Sequence, residues 1–109
     1  MKYILYLILK NTSKSYHVLE QIKSHGYNAT LVSTESLRHA IDEFPEEKSF
    51  FTLRNYETQK FQESILCMFI EPEEKLEELK QIIRLYTNCF CDIKGGMFSK
   101  KLEDYEGTI

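Results

Sequence analysis

The stretch "SILCMFIEPEEKLEELKQIIRLYTN", residues 64–88, decides the fold because it joins a buried strand to an amphipathic helix. Its first part, "SILCMFIE", is a nearly continuous apolar run of strand length. Pro72 then falls in the first helical turn, where its missing N–H is not needed, and the neighbouring glutamates favour a helix N-terminus. Helical spacing predicts one buried stripe: Leu76, Leu79, Ile83 and Tyr86. After this helix, "CFCDI", residues 89–93, is predicted to open a last strand.

The first third of the chain repeats the same order of elements. "MKYILYLILK", residues 1–10, is predicted to be a buried strand because it is short, apolar and rich in Ile, Leu and Tyr. A helix is expected over residues 11–26, with Thr12 or Ser13 capping its start and Gly26 ending it. Its buried face is predicted from three side chains: Tyr16, Leu19 and Ile22. "YNATLVST", residues 27–34, then alternates as a second strand.

Two strand–helix–strand units in one short chain predict an α+β ferredoxin-like βαββαβ plait, a single domain over residues 1–109. Residues 34–62 form an insertion between the second and third core strands, with a helical pattern followed by a hairpin pattern. An insertion of this length is often functional. The right-handed crossover rule places both helices on one face of the sheet, so we expect self-association to bury the other face.

The composition is that of a soluble globular protein, with 42% hydrophobic and 28% charged residues. A net charge of −3 argues against a general nucleic-acid binder, which needs a basic excess to displace counterions from phosphates. The apolar run at the start is too short to span a membrane and no cleavage site follows it, so we expect no membrane span and a cytoplasmic location.

The chain contains three cysteines, which do not make a disulfide framework. On a strand, Cys89 and Cys91 would point to the same face, where two thiolates are able to begin a metal site. No second pair and no nearby histidine complete a ligand set in the sequence, so we expect these thiols to be structural and no metal to be bound. No nucleophile has a base beside it in sequence, and we expect neither catalytic residues nor an enzyme.

The one pair of adjacent glycines lies in "DIKGGMFSKK", residues 92–101, between lysines. Two interpretations are open. Glycines let the backbone approach a ligand closely, and Lys94 with its neighbours would supply charge to an anion. Alternatively, the pair forms a turn or bulge at the start of a strand, with lysines that discourage pairing at a sheet edge.

The order of elements, the helix lengths and the place of the insertion resemble the PII-like signalling superfamily, which contains the trimeric nitrogen-regulatory proteins and cyclic-di-AMP receptor-like relatives. "MKYILYLILK" resembles the opening strand of that family. "STESLRHAIDEF" into "SFFTL" occupies the place of its mobile loop, and "GGMFSKKLEDYEG" is similar to its last strand and the acidic residues that follow.

The resemblance implies a regulatory homotrimer with ligand clefts between subunits, whose effector is a small anion such as an adenine nucleotide or a cyclic dinucleotide. It also implies that residues 34–62 contact a target protein when the ligand orders them. Carried over to this chain, the ligand-binding positions are Ser33, Thr34, Glu35, Ser36, Lys94, Gly95 and Gly96. The acidic tail "EDYEGTI" stands where the family places arginines, which argues against ATP held in the usual way.

Two alternatives belong to other functional classes. The first is a structural or interaction module without a small ligand. The second is a small trimeric metal-binding plait similar to the divalent-cation-tolerance proteins, in which Cys89 and Cys91 would take part.

Overall fold

The computed structural model describes residues 1–34 and 64–109, which form a four-stranded sheet and two helices. The strands are β1 (Lys2–Lys10), β2 (Thr30–Thr34), β3 (Ser64–Pro72) and β4 (Gly95–Lys101). The helices are α1 (Ser13–Ser24), after β1, and α2 (Glu73–Thr87), after β3. All neighbouring strands are antiparallel, in the order β2-β3-β1-β4, so the predicted α+β βαββαβ plait is confirmed. Except for Thr34, the predicted insertion at 34–62 lies outside the described residues.

The two central strands, β1 and β3, carry the core on one face of the sheet. They pair along their whole length, from Lys2 opposite Pro72 to Lys10 opposite Ser64. Every second side chain is buried on each strand: Leu5, Leu7 and Leu9 on β1, and Ile65, Cys67 and Phe69 on β3. Each buried leucine stabilises the fold by about 1.5–3 kcal/mol relative to an exposed one. This alternation explains why two apolar runs become strands of one half-covered sheet.

The apolar run at the start of the chain is therefore a strand, as predicted. Neither α1 nor α2, the helices in the described ranges, has the length and apolar character that crossing a membrane requires.

Helix α1 begins where predicted but turns a different face to the core. The Thr12 hydroxyl oxygen caps it by accepting a hydrogen bond from the Ser15 N–H at 3.3 Å. The buried positions are Ser15, Val18 and Ile22, with Leu19 beside them half-buried. Tyr16 was predicted to be buried, and this is wrong: it is 51% exposed, because one residue turns a helix by about 100° away from the buried stripe.

Helix α2 has the predicted buried stripe. Leu76, Leu79 and Ile83 are buried, and Tyr86 is half-buried against the core. Pro72 stands at the N-cap and makes no side-chain cap hydrogen bond, while Glu73 and Glu74 occupy the first turn. Their carboxylates favour this end of the helix through its dipole.

The turn after α2 contradicts the predicted strand over residues 89–93. Asn88, Cys89 and Phe90 have φ angles of 52°, 53° and 62°, so three consecutive residues are left-handed and none of them belongs to a strand. The Thr87 hydroxyl stabilises this turn, donating to the Ile83 carbonyl at 2.7 Å and accepting from the Phe90 N–H at 3.2 Å. Strand β4 consequently starts only at Gly95.

The face of the sheet opposite the helices is apolar and open; we call it the open sheet face. Its exposed side chains include Ile8 (39%), Val32 (42%) and Phe98 (55%). Tyr6 lies opposite Phe98 in the β1–β4 register and stacks on it, with ring centroids 4.8 Å apart. The other face carries Leu5 and the rest of the core under α1 and α2, so the predicted one-sided arrangement is present in the described residues.

Candidate functional site

Four strand ends meet at one end of the sheet. Thr34, the last residue of β2, pairs with Ser64, the first residue of β3, and Ser64 pairs with Lys10 at the end of β1. Leu9, the residue before Lys10 in β1, pairs with Gly95 at the start of β4. The main chains of Lys10 and Lys94 are joined by a hydrogen bond of 2.9 Å from N–H to carbonyl. Residues far apart in sequence therefore border one small region.

A cavity of about 200 Å³ lies at this end, and we call it the sheet-end pocket. Its lining is Ile8, Lys10, Ser64, Lys94 and Gly95. The lining combines two cations, a hydroxyl group and an apolar side chain, which suits a ligand with an anionic part and a flat or apolar part. Because Ile8 belongs to the open sheet face, the pocket lies at the border of that face.

The two lysines of the sheet-end pocket are available to a ligand. Within residues 1–34 and 64–109, neither the Lys10 nor the Lys94 ammonium group lies within ion-pair distance of a carboxylate. Both residues are exposed, so their charges are hydrated and act on an anion mainly at short range.

Gly95 has a structural reason to be glycine. A Cβ atom at this position would lie 2.0 Å from the Ile8 carbonyl oxygen, a distance that no side chain tolerates. A Cβ atom on Gly96 would meet nothing within 4 Å. The first glycine of the pair is thus required by the close approach of the start of β4 to the Ile8 backbone of β1, which favours the interpretation as a tight strand start.

The seven predicted ligand-binding residues fall into three groups. Lys94 and Gly95 line the sheet-end pocket. Thr34 borders it, donating a long hydrogen bond of 3.4 Å from its hydroxyl to the Ser64 carbonyl. Ser33 pairs with Ile65, and Gly96 pairs with Ile8; neither lines the pocket. Glu35 and Ser36 lie outside the described residues.

Three lining residues were missed by sequence reasoning: Ile8, Lys10 and Ser64. The sequence contained a signal for Lys10, because this lysine directly follows the apolar run of β1. Ser64 carried no local signal, because only the register between β1 and β3 brings it to Lys10.

The acidic tail lies away from this pocket within one chain. The Leu102 N–H donates to the Lys2 carbonyl at 2.9 Å, so the segment after β4 starts beside the beginning of β1. Lys2 also donates from Nζ to the carbonyl oxygen of Ile109 at 3.0 Å and lies 5.7 Å from the Tyr105 ring centroid. Lys10 is at the opposite end of the same strand. The repulsion predicted between the tail and a bound phosphate therefore does not arise inside one chain.

The cysteines do not form the arrangement expected from a strand. Cys89 lies in the left-handed turn and Cys91 just after it; both are exposed and neither belongs to a strand, so the prediction that they share a strand face is wrong. No cluster of three or more His, Cys, Asp or Glu side chains suited to a metal ion occurs in the part of the chain that the structure describes. Cys67 is fully buried, and burial raises the pKa of its thiol to about 11.

Two further groups have perturbed acidity at the far end of the sheet. Burial raises the pKa of the Glu71 carboxyl, while Lys75 and Lys2 act in the opposite direction. Burial also raises the pKa of the Tyr27 phenol, and the Glu78 carboxylate adds to this effect. The Tyr27 hydroxyl donates to the Lys75 carbonyl at 3.3 Å, which joins the segment before β2 to α2. Neither group lines the sheet-end pocket.

Comparisons with known proteins show that this chain is similar in fold to solved structures. No protein-family model matches the sequence, and no curated protein matches it. Among solved structures, a functionally unknown protein from Pediococcus pentosaceus superposes with a TM-score of 0.60 and 12% identity, over 98% of this chain and 97% of its own. CPII from Thiomonas intermedia, a PII-like protein solved with ADP and bicarbonate, superposes with a TM-score of 0.53 and 17% identity, over 91% of this chain and 83% of its own. At these identities the likeness shows the fold alone, the α+β βαββαβ arrangement described above.

Proposed function

We propose that this protein is a PII-like regulatory protein that binds a small anionic effector of the nucleotide type at the sheet-end pocket. The observation that carries the proposal is the convergence of Lys10, Lys94 and Gly95 with an apolar side chain in one pocket. A nucleotide offers the matching parts, since its phosphates are anionic and its base is flat and apolar. CPII, which shares the fold, is a protein that was solved with ADP and bicarbonate.

The pocket alone is small, and we propose that a neighbouring subunit completes it. Ile8 belongs both to the pocket and to the open sheet face, so a second chain covering that face would stand beside the bound ligand. We propose a homotrimer assembled through this face, with the cleft between subunits as the complete binding site. Thr34, the first residue of the segment 34–62, lies beside this pocket, and we propose that this segment reports the ligand to a target protein.

Ligand binding is tested by isothermal titration calorimetry with ADP, ATP, AMP and cyclic di-AMP, each in the presence and absence of bicarbonate. The wild-type protein is expected to bind at least one of them. Lys94→Ala is expected to weaken that binding about tenfold or more, the effect of losing one charge-assisted hydrogen bond. Lys101→Ala, at the other end of β4, is the matched control and is expected to bind as the wild type does.

Two results would count against this function. One is the absence of heat and of thermal stabilisation with every nucleotide at millimolar concentration. The other is equal binding by the Lys94→Ala and Lys101→Ala variants, which would place the ligand elsewhere. Gly95→Ala is unsuitable for this test because a side chain at that position collides with the Ile8 backbone.

An interaction module without a small ligand is the second candidate, and the open sheet face favours it. Phe98, Ile8 and Val32 are exposed there together, and such a patch is typical of a protein–protein contact. This function predicts assembly without any response to nucleotides.

A further inference from the structure

A second set of cavities lies on the helix side of the sheet, where the first two turns of α1 face the segment before β4. The two cavities measure about 350 Å³ and 370 Å³ and adjoin, since both are lined by Lys14 and Asp92. Together they form what we call the α1 groove. Its chemically active side chains are Lys10, Lys14, His17, Tyr86, Asp92 and Lys94. A volume of this size is typical of a small-molecule site.

The lining of the α1 groove is cationic. Three lysines and one aspartate line it, and these four side chains carry a net charge of +2. None of these lysines has a carboxylate within ion-pair distance in residues 1–34 and 64–109. Like charges gathered in one concave region repel each other, and a bound anion relieves that repulsion.

Two hydrogen bonds fix the backbone of the segments that carry the three lysines. The Lys10 N–H donates to the Lys94 carbonyl at 2.9 Å, which joins the end of β1 to the start of β4. The buried Ser15 hydroxyl donates to the Lys10 carbonyl and so fixes the start of α1, which carries Lys14. The groove is therefore built on ordered segments, so a ligand does not have to order the backbone around it.

We propose that the α1 groove binds a diphosphate group, with Lys14 and Lys94 contacting its oxygens and with His17 and Tyr86 as additional hydrogen-bond partners. A diphosphate rather than a single phosphate suits the groove because its polar groups lie in two adjoining cavities. All three lysines line the 370 Å³ cavity, whereas His17 and Tyr86 line the 350 Å³ cavity, and Lys14 lines both. Such a group occurs both as free pyrophosphate and as the end of a nucleotide such as ADP. The proposal does not depend on nucleotide binding at the sheet-end pocket, although Lys10 and Lys94 line both that pocket and the α1 groove.

The test is titration of the full-length protein with inorganic pyrophosphate, followed by calorimetry and by amide chemical shifts in NMR spectra. Wild-type protein is expected to bind, with the largest shifts at Lys14 and His17. Lys14→Ala is expected to weaken binding at least about tenfold, whereas Lys14→Arg keeps the charge and is expected to stay within about threefold. Lys23→Ala, which removes the same charge from the last turn of α1, is the matched control and is expected to change binding less than about twofold.

Two outcomes overturn the proposal: no pyrophosphate binding at millimolar concentration, or equal weakening by Lys14→Ala and Lys23→Ala. Lys14 is exposed, so its variants are expected to fold, and circular dichroism checks this. Titration with ADP then distinguishes the two sources of the diphosphate. Weaker ADP binding in Lys14→Ala shows that the groove holds the phosphates of a nucleotide, and unchanged ADP binding with lost pyrophosphate binding shows a separate site. Because Lys14 does not line the sheet-end pocket, failure here leaves the proposed effector site standing.

Discussion

The two adjacent glycines, Gly95 and Gly96, differ in the space that is available for a side chain. Gly95 cannot accept a side chain, since its Cβ would lie 2.0 Å from the Ile8 carbonyl oxygen, whereas Gly96 has open space around it. We expect Gly95→Ala to lower the free energy of unfolding by more than about 2 kcal/mol, because β4 must move away from β1. Urea denaturation followed by circular dichroism measures this change.

Gly96→Ala is the matched control for that substitution. Alanine loses less conformational entropy in a strand than glycine, so this variant is expected to lie within about 0.5 kcal/mol of the wild type. Equal destabilisation by both substitutions would contradict the close approach of Gly95 to the Ile8 backbone.

The buried thiol of Cys67 makes stability depend on alkaline pH. Burial raises its pKa from 9.0 to about 11, so in this range the unfolded chain releases the proton more readily than the folded chain. The stability that the neutral thiol contributes is fully present below pH 9 and is lost as the pH rises through about 11. We expect the wild type to lose about 2 kcal/mol more than Cys67→Ala between about pH 8.5 and about pH 11.

Urea unfolding of both proteins across this range measures the difference in slope. The Tyr27 phenol, whose pKa is also raised, contributes equally to both proteins and cancels in the comparison. Parallel pH profiles for the wild type and Cys67→Ala would show that the thiol ionises equally in the folded and unfolded states.

At the scale of the elements, the turn between α2 and β4 contains a strain that a substitution can relieve. Cys89 has a φ angle of 53°, which costs an L-residue roughly 1 kcal/mol relative to glycine. We expect Cys89→Gly to raise the free energy of unfolding by about 0.5–1 kcal/mol. Cys91, two residues later, is outside the left-handed run, so Cys91→Gly is expected to lower stability. Thermal unfolding of the two variants measures these changes in stability. A loss of stability in both variants would argue against the left-handed turn.

The left-handed conformation of this turn was not predicted from the sequence. Strands β1 and β3 were predicted from their apolar runs, and both helices from helical spacing and terminal signals. "CFCDI" has a strand-like composition, but the buried Thr87 hydroxyl binds the Phe90 N–H and selects a left-handed turn instead. Tyr16 was misplaced for a similar reason, since the packing of α1 against the sheet decides which stripe is buried.

The candidate site was predicted only where its signal was local. The glycine pair marked Lys94 and Gly95, which both line the sheet-end pocket. Lys10 and Ser64 reach it through the pairing of β1 with β3, and the α1 groove needs α1 to lie beside the turn before β4. Contacts of this kind are set by tertiary structure, and no spacing within the sequence encodes them.

At the scale of the whole molecule, the open sheet face leaves apolar side chains exposed in a single chain. Aromatic and aliphatic side chains of all four strands are directed to it, and Phe98 is 55% exposed there. Water contact with apolar area is unfavourable by about 25 cal/mol per Å², so a second copy that covers the face gains stability in proportion to the area buried. Because Ile8 links this face to the sheet-end pocket, assembly and ligand binding are expected to depend on each other.

We therefore expect the wild type to have three times the chain mass of 13.0 kDa by light scattering at micromolar concentration. Phe98→Glu places a charge in the middle of the open sheet face and is expected to give monomers that remain folded by circular dichroism, since Phe98 lies outside the core. Tyr16→Glu changes an equally exposed aromatic residue on α1 and is expected to leave the trimer intact. A wild-type monomer, or the same mass for both variants, would contradict assembly through this face. If the trimer completes the effector site, Phe98→Glu also loses nucleotide binding while Tyr16→Glu keeps it, so one pair of variants tests the interface and its coupling to the ligand.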